Sequence, residues 1–250
     1  MGHSNLLQTR LRDVQPLGGP CADCEIRSIG ICAALKPDEL ERMHRIVKDV
    51  RFAEGQLIFS EGDPAESLFN VLTGAVRLVK LLPDGRRQIT GFLLPGAFLG
   101  IALNSTYAYS AEAIVDTKLC RFGRREVEGL LKDIPNLEHR LLGEAANELV
   151  AAQDQMLLLG RKTAKERLAS FLVGISRNAK RHGFIDNPIA LPMSRTDIAD
   201  FLGLTTETVS RTFTRLRQSK IIALEGNGIV RLMDIDALDD LIAGGDGDDA

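Results

Sequence analysis

At 250 residues, 44% hydrophobic and 26% charged, the chain has the composition of one or two globular domains with ample core. No apolar run approaches the ~20 residues of a membrane-spanning helix, and the polar start MGHSNLLQTRLRD is unlike a signal peptide, so a cytoplasmic protein without a membrane partner is expected. The net charge of −3 hides a basic stretch, residues 161–234 with 13 Lys and Arg against 7 Asp and Glu, beside an acidic end with six Asp and no base, a division that points to nucleic acid.

Residues 1–34 are expected to form an N-terminal arm, Met1 to Gly19, followed by a cysteine loop, GGPCADCEIRSIGIC. The loop places Cys21, Cys24 and Cys32 in a C-x2-C-x7-C pattern. Three thiols in one short, Gly/Pro-punctuated loop have little apolar sequence to bury them. In a reducing compartment such thiols suggest a metal site or redox groups more than structural disulfides. Leu35 to Val50 has a helical pattern. From Arg51 to about Phe122 short β-rich runs (QLIFS, SLFNVL, AVRLVKLL, RQITGFLL, YSAEAIV, TKLCRF) alternate with Gly-bearing turns. That spacing predicts a barrel, roll or sandwich over residues 35–134. Pro83-Asp84-Gly85 is a hairpin tip. Cys120 lies in the last of these strands and, taken alone, is a small core residue.

Arg124 to Leu159 is helical again, broken at Pro135. Leu137, Leu141, Ala145, Leu149, Ala152, Met156 and Leu159 form a stripe along one long helix, residues 135–160. Such a stripe can pack on the roll or pair with its twin across a two-fold axis. Pairing is the expectation, because the segment further on wants two DNA half-sites. Arg161 to Asn178 continues helically.

Ser194 to Gln218, SRTDIADFLGLTTETVSRTFTRLRQ, is the most informative stretch. Ser194 caps a helix with Asp197 three residues on, and Ile198, Ala199 and Leu202 give it one apolar face. Gly203 permits a sharp turn, and Thr205 caps a second helix whose Val209, Phe213 and Leu216 face a core. Glu207, Arg211 and Thr214 point nearly opposite, with Ser210 beside them. Two Gly-hinged helices with Glu, Ser and Arg on the exposed face predict a DNA-reading helix-turn-helix. IIALEGNGIVRLM then forms a two-stranded wing, closing residues 161–241 with a short amphipathic helix. Residues 242–250 are an acidic tail expected to be disordered.

These segments together resemble the cyclic-AMP receptor protein/FNR superfamily of bacterial transcription regulators, over about Cys21 to Leu241. The carrying motifs are QITGFLLPGAFLG at 88–100, LLLGRKTAKERLASFL at 157–172 and DIADFLGLTTETVSRTF at 197–213. The last contains E-x-x-S-R, which in FNR-type proteins reads the DNA half-site. The resemblance implies an α+β fold: a β-roll sensor domain, a long dimerisation helix and a C-terminal winged helix-turn-helix.

Members that bind cyclic AMP carry a Glu after the Gly of a G-x-F-x-G segment and an Arg before an S/T-A pair. Here those positions are Ile101 and Tyr109, so the phosphate lacks its bidentate partner and no cyclic AMP is expected. FNR-type proteins hold a 4Fe–4S cluster with three N-terminal cysteines and one in the roll. Cys21, Cys24, Cys32 and Cys120 match that arrangement and are all the cysteines of the chain, although the x7 spacing departs from the x5 of the best-known members. Four thiolates suit a cubane cluster or tetrahedral zinc, and ligand identity does not separate them.

The resemblance further implies an oxygen-responsive homodimer on double-stranded DNA at TTGAT-like palindromes. Glu207, Ser210 and Arg211 would read bases, and Arg195, Thr206, Arg215, Arg217 and Lys220 would meet phosphates. Leu82, Pro83, Asp84, Gly85 and Arg86 would contact RNA polymerase. Glu148 and Asp154 could add like-charge repulsion between paired helices. A different input to the same fold, such as nitric oxide or haem, is the alternative. An enzyme is not expected: the four His (3, 44, 139, 182) are scattered, and no nucleophile elbow or phosphate-binding Gly loop occurs.

Overall fold

The computed structural model describes residues 21, 24–101 and 105–244, so the N-terminal arm and most of the acidic tail lie outside the described residues. Two compact units divide the chain, with the boundary at residues 151 and 152.

The first unit opens with a 3-10 turn, Ile31–Ala34, and helix α1, Pro37–Ile46. Pro37 pre-sets the first helical turn, and the Glu39 carboxylate accepts from the Lys36 N–H at 2.7 Å. Eight strands follow: β1 Val47–Phe52, β2 Leu57–Phe59, β3 Ser67–Thr73, β4 Val76–Leu81, β5 Arg87–Leu93, β6 Phe98–Leu99, β7 Ser110–Ala113 and β8 Thr117–Gly123. They form two four-stranded antiparallel sheets, in the orders β1-β8-β3-β6 and β2-β7-β4-β5. Phe59, Phe69, Val71, Val76, Leu78, Leu99, Ala111 and Leu119 bury the roll interior between them. The expected helix over residues 35–50 is corrected here. It ends at Ile46 because Val47, Val50 and Phe52 belong to an alternating strand that pairs along β8.

Helix α2, Arg124–Asp133, and helix α3, Pro135–Arg161, complete the unit, with α3 running past the boundary. A second core lies outside the roll, where Ile31, Met43, Phe122, Val127, Leu130, Ile134 and Leu137 are buried together. The cysteine loop packs on this core.

The second unit holds α4 Ala164–Arg181, β9 Ile189–Ala190, α5 Arg195–Leu202, α6 Thr206–Gln218, β10 Ile222–Leu224, β11 Ile229–Leu232 and α7 Ile235–Ile242. Helix α4 does not continue α3. Thr163 caps it, accepting from the Glu166 N–H at 3.4 Å while Glu166 accepts from the Thr163 N–H at 3.1 Å. Ser194 and Asp197 form the same reciprocal cap on α5. Gly203 then turns the chain at φ 62°, ψ 41°, a left-handed conformation that favours glycine. The wing sheet has the order β10-β11-β9; its third strand, only two residues long, carries no periodicity to read.

Candidate metal centre and nucleic-acid interface

The four cysteines come together. Cys21, Cys24 and Cys32 in the loop and Cys120 on β8 line one small cavity with Arg27, Met43, Asn70 and Phe122. Strand pairing fixes the distant member: Cys120 stands opposite Asp49 of β1 on one side and Asn70 of β3 on the other. Alternation along β8 sends Leu119 into the roll and Cys120 and Phe122 to the outer core. The loop closes through tight backbone turns, with Arg27 N–H donating to Cys24 O at 3.0 Å and Gly30 N–H to Ile26 O at 2.8 Å.

All four thiols are free and half-buried. Burial pushes each above the ordinary thiol value, and for Cys21, Cys32 and Cys120 the neighbouring thiols add to it. Cys32 is pushed up to about 12 by burial, then by Cys24 and Cys21. Cys120 is raised by burial, then by Cys24 and Cys32. Cys21 is raised by burial, Cys24 and Asp49; Cys24 is raised by burial against lowering bonds from the Ile26 and Arg27 N–H groups. This environment favours the neutral thiols, and a bound cation would favour the thiolates. Among the described residues, no three His, Cys, Asp or Glu side chains close on a point able to hold a single metal ion. The thiols ring a cavity instead.

Sequence reasoning missed three neighbours of this centre. His44 of α1 puts its Nδ1 3.4 Å from Cys21 Sγ, Arg27 lines the cavity, and buried Asn70 backs the loop. Only the tertiary fold brings them there.

In the roll, Tyr109 occupies the position expected for a phosphate-binding Arg. Its hydroxyl accepts from the Gly100 N–H at 3.4 Å, and its ring lies 5.9 Å from that of Phe59. Tyr107 stacks on Phe59 at 3.7 Å and donates to Ser67 O at 2.7 Å. Ile101 packs on the outer core.

The apolar stripe of α3 is corrected. Leu137 is fully buried in the outer core, Leu141 packs against that core, and Ala145 and Leu159 are half-buried. Leu149, Ala152 and Met156 are exposed. Steps of four overrun the 3.6-residue period, so the row 137-141-145-149 winds around the helix. The row that holds one line is Leu142, Ala146, Leu149, Gln153 and Met156, all exposed, alternating steps of four and three. Glu148 and Asp154 are also exposed.

On α6, Val209, Thr212, Phe213 and Leu216 are buried, while Glu207, Ser210, Arg211 and Thr214 are exposed together. The Glu207 carboxyl is held below its ordinary value by its own backbone N–H first, then by Thr205, with Arg211 one turn on contributing. Arg215, Arg217 and Lys220 are exposed, and Thr206 is half-buried at the start of the helix. Arg195 is half-buried at the start of α5, its guanidinium 3.2 Å above the Phe213 ring centroid and partly desolvated. The Leu82–Arg86 turn is exposed, and within it Asp84 accepts from the Arg86 backbone at 3.0 Å and from its guanidinium at 2.8 Å.

Residues 49–133 match the cyclic nucleotide-binding domain and residues 166–241 the Crp-like helix-turn-helix domain. The transcriptional activatory protein AadR of Rhodopseudomonas palustris is 44% identical over 88% of this chain and 92% of its own length. The chain belongs to the Crp/FNR family. Within that family it is a DNA-binding transcription regulator and not an enzyme. The transcriptional activator protein FnrL of Cereibacter sphaeroides is 38% identical over 90% of this chain and 92% of that protein. The structure of FixK2 from Bradyrhizobium japonicum superimposes with a TM-score of 0.74 at 39% identity, covering 82% of this chain and all of that one. No helix among the described residues is long and apolar enough to cross a membrane.

Proposed function

We propose that this Crp/FNR regulator senses oxygen through a 4Fe–4S cluster on Cys21, Cys24, Cys32 and Cys120 and, as a homodimer, activates genes at TTGAT-like palindromes when oxygen is scarce. The reading rests on one observation: every thiol of the chain, drawn from two distant segments, faces one cavity. The donor set fits the group. Four soft sulfurs border a cavity partly walled by Met43 and Phe122, with Arg27 to offset their charge. Four thiolates also suit tetrahedral zinc, and the iron and sulfide content separates the two.

When bound, the cluster supplies an oxygen-labile centre that crosslinks the loop to β8. The residues supply the rest. Cys24 accepts backbone N–H bonds from Ile26 and Arg27, and the loop's Ile31 is buried in the same core as Leu137 of α3. Order in the loop is therefore order at the start of α3, from which Leu142 and Leu149 project for pairing. Pairing would set two copies of α6 one DNA turn apart, ~34 Å. There Arg211 can donate to guanine O6 and N7 and Glu207 accept from cytosine N4. The exposed Leu82–Arg86 turn is the surface offered to RNA polymerase. Tyr109 and Ile101 leave a cyclic phosphate without a cation, which supports a sensor that does not use cyclic AMP.

Cys120→Ser tests the site. Anaerobically purified wild type should contain about four iron and four acid-labile sulfide per chain, and the variant should lose most of both while keeping its helical content. Equal iron in the two proteins, or none in the wild type, rejects the assignment.

A further inference from the structure

Arg140 lies on α3 in the first unit, and it touches the cysteine loop. Its Nη2 donates to the Ile29 carbonyl at 2.8 Å and pairs with Glu144 at 3.1 Å, while its Nε is buried without a partner. Ile29 is gripped from the other side as well. A Cβ added at Gly96, in the turn between β5 and β6, would lie 2.8 Å from Ile29 Cδ1. The loop is thus a layer between the roll and the helix, and Arg140 is its polar bond to the helix.

Between Arg140 and its partner Glu144 stands Gly143, inside the helix. Nothing lies within 4 Å of the position a Cβ would take there, so no packing makes up for the freedom glycine adds. The i,i+4 pair bridges this weak turn. Leu142, 64% exposed and the first residue of the straight apolar row, sits on the same turn.

We propose that Arg140 is the positioning residue of the switch: with the loop docked, its bonds to Ile29 and Glu144 splint the helix across Gly143 and hold Leu142 in register for pairing. A guanidinium with a buried, unsatisfied Nε keeps this position only while its remaining donors are engaged. When the loop leaves, the Ile29 carbonyl goes with it. The splint then rests on one partly exposed ion pair, which is weak, and the turn at Gly143 loosens. The inference builds on the oxygen-sensing reading above, yet it concerns the joint between loop and helix and can be tested apart from it.

The test compares wild type, Arg140→Leu, Arg140→Lys, Gly143→Ala and the double variant Arg140→Leu/Gly143→Ala. Each is measured before and after air by visible absorbance, by sedimentation for the dimer dissociation constant, and by hydrogen exchange over residues 138–150. Loaded wild type should dimerise 5–150-fold more tightly than bleached wild type, the ordinary range of a coupling between sites. Arg140→Leu should keep the absorbance and lose most of that ratio, and Arg140→Lys, with a donor retained, should recover part of it. Gly143→Ala should slow exchange, tighten the bleached dimer roughly fivefold and rescue Arg140→Leu. A loaded Arg140→Leu that dimerises like loaded wild type overturns the proposal. A colourless wild type would end the cluster reading alone. Exchange over 138–150 would then decide, since the joint requires it to quicken in Arg140→Leu and slow in Gly143→Ala, and unchanged exchange overturns it.

Discussion

Arg211 and Glu207 sit one turn apart on the exposed face of α6, and neither is needed for the packing of Val209, Phe213 and Leu216 beneath them. Replacing Arg211 with Ala should cost about 1–3 kcal/mol per half-site and relax selectivity at the contacted pair, while Arg215→Ala should weaken all sequences alike and flatten the salt dependence. Competition binding with single-base operator variants separates the two; an Arg211→Ala protein that loses affinity equally for every operator would remove its base-reading role. The thiols carry a second prediction. In the metal-free protein Cys32 is raised from 9.0 to about 12 by burial, Cys24 and Cys21. Between those values the unfolded chain holds fewer protons than the folded one, so stability is retained below pH 9 and falls as pH rises toward 12. Denaturation of metal-free wild type should show a steeper decline over that window than Cys32→Ala; equal slopes would mean the thiol is not buried as described. At this scale the sequence was legible for chemistry but not for neighbours. The Cys spacing marked three thiols as candidate ligands, whereas their neighbours His44, Arg27 and Asn70 are brought in by packing that no local pattern encodes. Arg195 is a similar case, since its contact with the Phe213 ring comes from packing and not from any local pattern.

Helix α3 shows where periodicity informs and where it misleads. Its existence and its break before Pro135 were legible, because apolar residues recur over many turns and Pro marks the start. The partner of each face was not. A 4-4-4 row drifts around the helix, so Leu137 and Leu141 belong to the outer core while Leu142, Leu149 and Met156 stand exposed. Leu149→Glu should consequently leave the melting of the folded chain within about 0.5 kcal/mol. It should weaken pairing by roughly 100-fold or more, because a carboxylate would be buried against its twin. Sedimentation together with thermal melts checks both halves, and a variant that still pairs normally would place the interface elsewhere. The short strands β6 and β9 were illegible for a different reason: two residues are too few for alternation to register. Strand β1 was hidden because it follows α1 without a turn residue, and only its pairing with β8 declares it.

At the scale of the whole molecule, the helix-turn-helix and the roll were legible because each is encoded by many consecutive residues agreeing with one another. The four-cysteine site was legible only in part, since it depends on the register that sets Cys120 against Asp49 and Asn70. Under the proposed function, signal transfer would use the same geometry. The loop that presents three thiols is also the layer on which α3 begins, so whatever holds the loop also holds the pairing helix. Such a switch requires a marginal dimer, because a tight one would ignore the loop. Protein purified without oxygen, followed by visible absorbance and by binding to a TTGAT-type palindrome as air is admitted, measures this most directly. Oxygen gating through the four cysteines predicts a brown protein whose colour and DNA affinity fall together, with Cys120→Ser colourless and weakly bound throughout; a colourless wild type that binds equally well before and after air would contradict it.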